Sequence, residues 1–232
     1  MALVYHGTPL TPRAALLAAL PGRGACVSFY RPDDVEAVEA TCSRIMYDPG
    51  TVFPWFAAMR RGEEWDYTEQ DPRPYYEWLE DRLFKPGRWA IIYDVPGAPS
   101  QYNDGFLNDW PYGRSRGAPV FHMNGPLDRL ARLCDRYDRV CLGWIGDPKR
   151  EPVGCDAYRR RMDEVAALMG NSWHPLHMLR GVRVGGAYPF ISCDSTSLAQ
   201  NHHRYRLRLF AGSTDEWSGI RAYADQLERL AA

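Results

Sequence analysis

The chain has 232 residues, 45% hydrophobic and 25% charged, and its formal net charge is −1. So even a balance excludes the global basic field that drives tight non-specific nucleic-acid binding, and any such contact must come from local clusters. The six cysteines form no CxxC pair, which excludes the usual structural-zinc and redox-dithiol spacings and leaves free thiols in a reducing compartment. No apolar run has transmembrane length. Ala14–Leu20 is too short, and wrongly flanked by Pro12 and Arg13, for a signal peptide, so a cytoplasmic protein is expected.

Short apolar runs read as buried strands at Leu3–Tyr5, Ala25–Ser28, Ile45–Tyr47 and Trp89–Tyr93. More follow at Pro119–His122, Arg139–Leu142, Leu176–Leu179 and Phe190–Cys193. Helical spacing separates most of them. Pro12–Leu20 is rich in Ala and Leu, and Asp33–Thr41 follows a Pro-Asp start signal. Tyr75–Phe84, Asn103–Trp110, Pro126–Cys134 and Cys155–Met169 carry apolar residues at helical intervals, and Asp215–Leu230 closes the chain as an amphipathic helix. Strand-then-helix repeated about eight times predicts a compact, single-domain α/β (β/α)₈ TIM-like barrel over residues 1–232. The sixth and seventh units are the weakest, and the connection after the third strand is long. Gly62–Pro74, polar, acidic and aromatic, reads as an excursion over the barrel mouth or a lid.

Polar residues recur where the strands end: Asp48 after the third, Asp94 after the fourth, His122 at the fifth, Gly143 at the sixth and Asp194 at the eighth. In a parallel barrel these ends share the face that carries active sites. Each has an ordinary structural explanation. Asp48-Pro49-Gly50 is a turn sequence, Asp94 precedes Val-Pro-Gly, and Asp194 suits the N-cap of a following helix. Three aspartates at equivalent positions are harder to explain one by one. Paired carboxylates, one a nucleophile and one an acid/base, exchange groups at an anomeric carbon. Metal-ligand spacing, a P-loop, a dinucleotide fingerprint and a nucleophile elbow are all missing from the sequence.

The segment Asp194-Ser195-Thr196-Ser197-Leu198-Ala199-Gln200-Asn201 resembles the nucleophile segment of the tRNA-guanine transglycosylase superfamily. The likeness is greatest to its compact phage and bacterial branch, which inserts 7-deazaguanines into DNA. The order of parts is similar: Asp48-Pro49-Gly50, then Trp-Ala-Ile-Ile-Tyr-Asp ending at Asp94, with Asn103-Asp104 downstream. Pro119-Val120-Phe121-His122, Leu142-Gly143 and Leu176-His177-Met178-Leu179-Arg180-Gly181 come next. The resemblance spans most of the chain from Ser28 to Asn201. Pro49 and Thr51-Val52 depart from the small polar or glycine-rich run of relatives. Cysteines after the nucleophile are missing too, and with them the C-terminal zinc subdomain of the tRNA enzymes, which favours DNA over a tRNA anticodon loop.

The resemblance implies the following roles. Asp194 attacks C1′ of a nucleotide and Asp48 is the general acid/base. Asp94 meets the Watson–Crick edge of a guanine-like ring. Gly143 contributes backbone contacts, and Phe53 or Trp55 an aromatic face. Asn103, His122, Trp144 and Asn201 complete the substrate-binding set. DNA and a free 7-deazaguanine base such as preQ0 or preQ1 are the implied partners, in a bacterial or phage-infected cytoplasm; no cofactor, metal or membrane enters. A DNA or nucleoside glycosidase, a tRNA-acting relative and a catalytically silent nucleic-acid-binding barrel remain as alternatives.

Arg204, Arg206 and Arg208 alternate with Tyr205, Leu207 and Leu209, so a strand would set three guanidiniums on one side. With His202 and His203 they form the densest cationic cluster, a candidate for phosphate contact as much as a solvated face. Arg159-Arg160-Arg161 and Arg180/Arg183 are the other candidates.

Overall fold

The computed structural model describes residues 2–147, 149–205 and 215–232. It is an α/β structure whose described pairings between strands are parallel. By contact clustering it comprises two compact units, Met1–Met46 with His177–Ala232, and Tyr47–Leu176.

The first unit holds β1 (Leu3–Gly7), β2 (Gly24–Ser28), most of β3 (Arg44–Asp48), most of β8 (Leu176–Met178) and β9 (Ser192–Ser195). Their order is β3-β2-β1-β9-β8. Tyr5 stands beside Asp194 in the β1–β9 register, and His177 beside Ser192 in the β8–β9 register. Helices α1 (Arg13–Ala19), α2 (Val35–Thr41), α8 (Ser197–Tyr205) and α9 (Ser218–Leu230) belong to this unit. Leu16, Val38, Leu198 and Ile220 are fully buried from these helices. Burying each such side chain contributes about 1.5–3 kcal/mol. Asp34 sits at the N-cap of α2, but its side chain does not cap the helix. Its Oδ2 accepts the Leu10 N–H at 2.7 Å, which fixes the loop after β1.

α9 is tied down by charge. Arg23 donates to Asp225 and Glu228, and His6, fully buried on β1, brings Nε2 within 3.3 Å of Glu228 Oε1. The Glu228 carboxyl is held down at about 2, first by the His6 contact, against the opposing effect of burial and with further help from Arg23.

The second unit holds β4 (Arg88–Ile91), β5 (Gly117–Ala118), β6 (Val120–His122) and β7 (Val140–Gly143), with β4 beside β5 and β6 beside β7. Only Pro119 separates β5 from β6. The Ala118 carbonyl accepts from Ile92 N–H on one side, and the Pro119 carbonyl from Cys141 N–H on the other. Carbonyls alternating between two neighbours are those of one continuous strand, with a proline costing it one donor. Gly117–His122 therefore serves as a single strand. Gly117 has no room for a side chain, since a Cβ there would come within 2.5 Å of the Trp110 ring.

The helices of this unit are α3 (Val52–Arg61), α4 (Arg73–Glu80), α5 (Ser100–Asn108), α6 (Leu127–Arg136) and α7 (Asp156–Met169). α3 lies in what reads as a plain connection after β3. Pro54 is its third residue, where the N–H has no intrahelical partner to lose. Gly62 ends it with a left-handed φ of 70°. Tyr75 is fully buried, its hydroxyl 3.1 Å from the Tyr47 carbonyl and 3.0 Å from that of Ile91. The seventh strand, β8, is followed by a 3₁₀ turn (Gly185–Ala187) and no α-helix, in keeping with the weakness of that unit in the sequence.

Candidate functional site

Asp194 does not cap a helix. It lies inside β9, and α8 begins three residues later at Ser197. The expected strand Phe190–Cys193 is displaced by two residues because pairing with β1 begins at Ser192, opposite Leu3. Asp194 is 7% exposed. Its Oδ1 accepts the Arg180 N–H at 2.7 Å and lies 3.4 Å from His177 Nε2. His177 is fully buried, its Nδ1 2.8 Å from Ser192 Oγ, and its ring meets Tyr5 edge-on at 5.9 Å. Ser192 and Asp194 share a face of β9, since they are two residues apart. Cys193 lies on the other face, close to Gly185. Burial, and then the charge of Asp194, push the Cys193 thiol up to about 12, so it stays protonated beside the carboxylate.

Arg180 adopts φ 57°, left-handed for a non-glycine residue, which aims its amide at Asp194. Such a backbone persists only where the surroundings hold it, and it recurs at functional sites.

In the second unit, Asp94 follows β4 and His122 ends β6, and Asp94 Oδ2 lies 3.0 Å from His122 Nε2. Their side chains are 13% and 10% exposed. Next to Asp94, burial and then the Asp94 charge raise the Tyr93 phenol to about 12. Its hydroxyl donates to Gln70 Oε1 at 3.2 Å. Asp48 ends β3, and its Oδ1 accepts the Gly50 N–H at 2.6 Å. The turn chemistry anticipated for Asp48-Pro49-Gly50 is therefore present, with Gly50 at φ 79°. Gly143 ends β7, and its carbonyl accepts from Met123 N–H at 2.9 Å.

Other sequence candidates are engaged in structure. Both ends of the buried Asn103 amide bond the Val95 backbone, accepting from its N–H at 2.7 Å and donating to its carbonyl at 3.1 Å. That amide is committed to shaping the loop after β4. Trp144 donates to the Glu151 carbonyl at 2.7 Å and packs edge-on against Tyr158. Asn201 donates to the Ser197 carbonyl within α8. On α3, Phe53 is 40% exposed whereas Trp55 is buried at 7%, so Phe53 is the more exposed ring of the two. Arg204 is exposed in the last turn of the helix α8, which corrects the expected strand at that point. Arg206 and Arg208 lie outside the described residues. Arg161 is not a surface cation, because it donates to the Met123 and Gly125 carbonyls.

Neither His177 nor Ser192 stands out in the sequence as a functional residue. A histidine in an apolar strand reads as core, and its partner lies 15 residues away. The period-2 placement of Ser192 and Asp194, with a parallel neighbour in register, is the signal that would have found them. Among the described residues no cluster of three or more His, Cys, Asp or Glu has metal-binding geometry, and no helix is long and apolar enough to cross a membrane.

Set beside known proteins, the chain matches no family model, no curated protein and no solved structure. The fold and these two sites define a parallel α/β protein with a carboxylate–imidazole pair in each unit, Asp194 with His177 within β9 and β8, and Asp94 with His122 after β4 and at the end of β6.

Proposed function

We propose that the chain is a (β/α)₈ base-exchanging transglycosylase that replaces guanine in DNA with a 7-deazaguanine through a covalent aspartyl intermediate. The observation that carries this reading is Asp194, a buried carboxylate in the last strand whose Oδ1 is engaged by the Arg180 N–H and approached by His177. A carboxylate bonded through one oxygen can present the other to an electrophilic carbon. In the first half-reaction Asp194 forms a bond to C1′ as the bond from C1′ to the base nitrogen breaks. The electron pair leaves with the base, which takes a proton from Asp48. In the second, the incoming 7-deazaguanine gives up a proton to the Asp48 carboxylate and attacks C1′, the bond from C1′ to Asp194 breaks, and Asp194 departs as the carboxylate.

Asp94, braced by His122, is the group for the guanine edge. A carboxylate accepts the adjacent N1–H and N2–H donors of guanine and finds no such pair on adenine. Phe53 supplies an exposed ring for stacking, and the target nucleotide must leave the helical stack for any of this to occur. Arg204 is a candidate phosphate contact.

Incubating DNA with the protein and labelled 7-deazaguanine tests the proposal. Stable label in DNA with release of guanine supports base exchange. Guanine release with abasic sites replaces it by a glycosidase, and binding without either by a nucleic-acid-binding barrel.

A further inference from the structure

We infer that His177 is the positioning residue of Asp194, and that Oδ2 of Asp194 is the oxygen that does the chemistry. This rests on the reading of Asp194 as nucleophile. The two carboxylate oxygens are not equivalent: the Arg180 N–H and His177 Nε2 both address Oδ1, at 2.7 and 3.4 Å. The tautomer of His177 follows from its neighbours. If Nδ1 carried the proton, a lone pair on Nε2 would face a carboxylate oxygen in a buried site, which is repulsive. If Ser192 donates its hydroxyl proton to Nδ1 across 2.8 Å, Nε2 carries the N–H and stands 3.4 Å from Oδ1, short of a formed hydrogen bond in the free protein. Water is no substitute, since His177 is fully buried and Ser192 is 2% exposed.

Ser192 therefore sets the tautomer and His177 sets the carboxylate, with Tyr5 against the ring holding its plane. A contact of 3.4 Å in the free protein is long, as such contacts commonly are before substrate closes the site. In the reaction Oδ1 stays with its donors and a lone pair on Oδ2 forms the bond to C1′. The bond to the leaving base breaks as described above, and no charge or proton is left on His177.

Two measurements test this. Imidazole ¹⁵N spectra of the free protein should show His177 as the Nε2–H tautomer, and Ser192→Ala should lose that preference. An Nδ1–H tautomer overturns the assignment whatever the protein does to DNA. Single-turnover adduct formation is then compared in wild type, His177→Leu and His177→Gln, each first confirmed folded by thermal melting. His177→Leu should slow the chemical step by about 100-fold at unchanged DNA affinity, the usual effect of a misplaced reacting group. His177→Gln should recover at least about tenfold of that loss, because its amide N–H can stand where Nε2 stood. Equal rates in all three, or a glutamine variant no better than leucine, overturns the positioning role. The Nε2–H tautomer in a wild-type protein that forms no adduct leaves the tautomer assignment standing, but it removes the nucleophile reading and with it any catalytic role for His177.

Discussion

The Arg180 backbone turns left-handed, φ 57°, to set its amide 2.7 Å from Asp194 Oδ1. A local conformational cost is thus exchanged for one oriented hydrogen bond to a buried carboxylate. The left-handed region costs a non-glycine residue about 1–2 kcal/mol, whereas a hydrogen bond to a charged group contributes about 1.5–3 kcal/mol. The second term is the larger, so the conformation holds.

Arg180→Gly should relieve this cost while keeping the N–H, and unfold at equal or slightly higher denaturant. Arg180→Val, β-branched and poorly suited to positive φ, should lose about 1–2 kcal/mol. Equilibrium urea unfolding of the two variants checks the order, and a valine variant as stable as the glycine one contradicts it.

A second test concerns Asp94 and His122, two largely buried groups 3.0 Å apart. Truncating Asp94 to Ala leaves the imidazole without its carboxylate and should cost about 1–3 kcal/mol. Asp94→Asn, which can still bond the ring, should cost less. Under the proposed function both lose discrimination of guanine from adenine, read by competition of free bases for labelled 7-deazaguanine.

The chain's polarity pattern made the strand ends legible because a buried parallel strand must be apolar and its first exposed position need not be. Asp94, His122 and Gly143 fall where that argument put them, at or just past their strands. It placed Asp194 one step too far along, since Phe190 and Ile191 look more strand-like than Ser192 to Ser195, whose place is set by pairing with β1. α3 went unread because Asp48-Pro49-Gly50 is a turn sequence opening a long connection, yet Pro54, in the first turn of the helix, breaks nothing. Asn103 and Trp144 show what a sequence hides. Their polar atoms bond neighbouring backbone, and no composition or spacing argument shows where a side-chain amide or indole N–H has gone.

Arg129 offers a test of a buried cation. It is 3% exposed, bonded to Asp104 and to the Val120 carbonyl, while the Asp104 side chain is 39% exposed. Asp104→Ala strands the guanidinium and should cost about 2 kcal/mol, reduced from the fully buried case by the exposure of Asp104. Asp104→Ala combined with Arg129→Met should be more stable than Asp104→Ala alone. Denaturant midpoints of the single and double variants decide it, and a further loss in the double variant contradicts the account.

Acid should loosen the C-terminal helix through Glu228. Its pKa in the fold, about 2, lies below the ordinary value of 4.5, first through the contact with His6 and then through Arg23. The unfolded chain therefore binds the proton more readily. The stabilisation is present in full above pH 4.5 and is lost as pH falls from there through 2. With the side chain 36% exposed, screening reduces the effect to about 1 kcal/mol. Glu228→Gln should flatten the fall in stability over that interval, read by urea unfolding across the pH range. A variant that tracks wild type throughout removes Glu228 as the cause.

The covalent intermediate is the most direct test of the central claim. Wild type, Asp194→Asn and Asp48→Asn are incubated with DNA, quenched in denaturant and read by gel mobility and intact mass. The account predicts a protein–DNA adduct in wild type and none in Asp194→Asn. It also predicts a reduced but detectable adduct in Asp48→Asn when the leaving base is activated, because an acid/base group contributes about 10²–10⁴-fold. An adduct that persists in Asp194→Asn, or disappears only in Asp48→Asn, contradicts it.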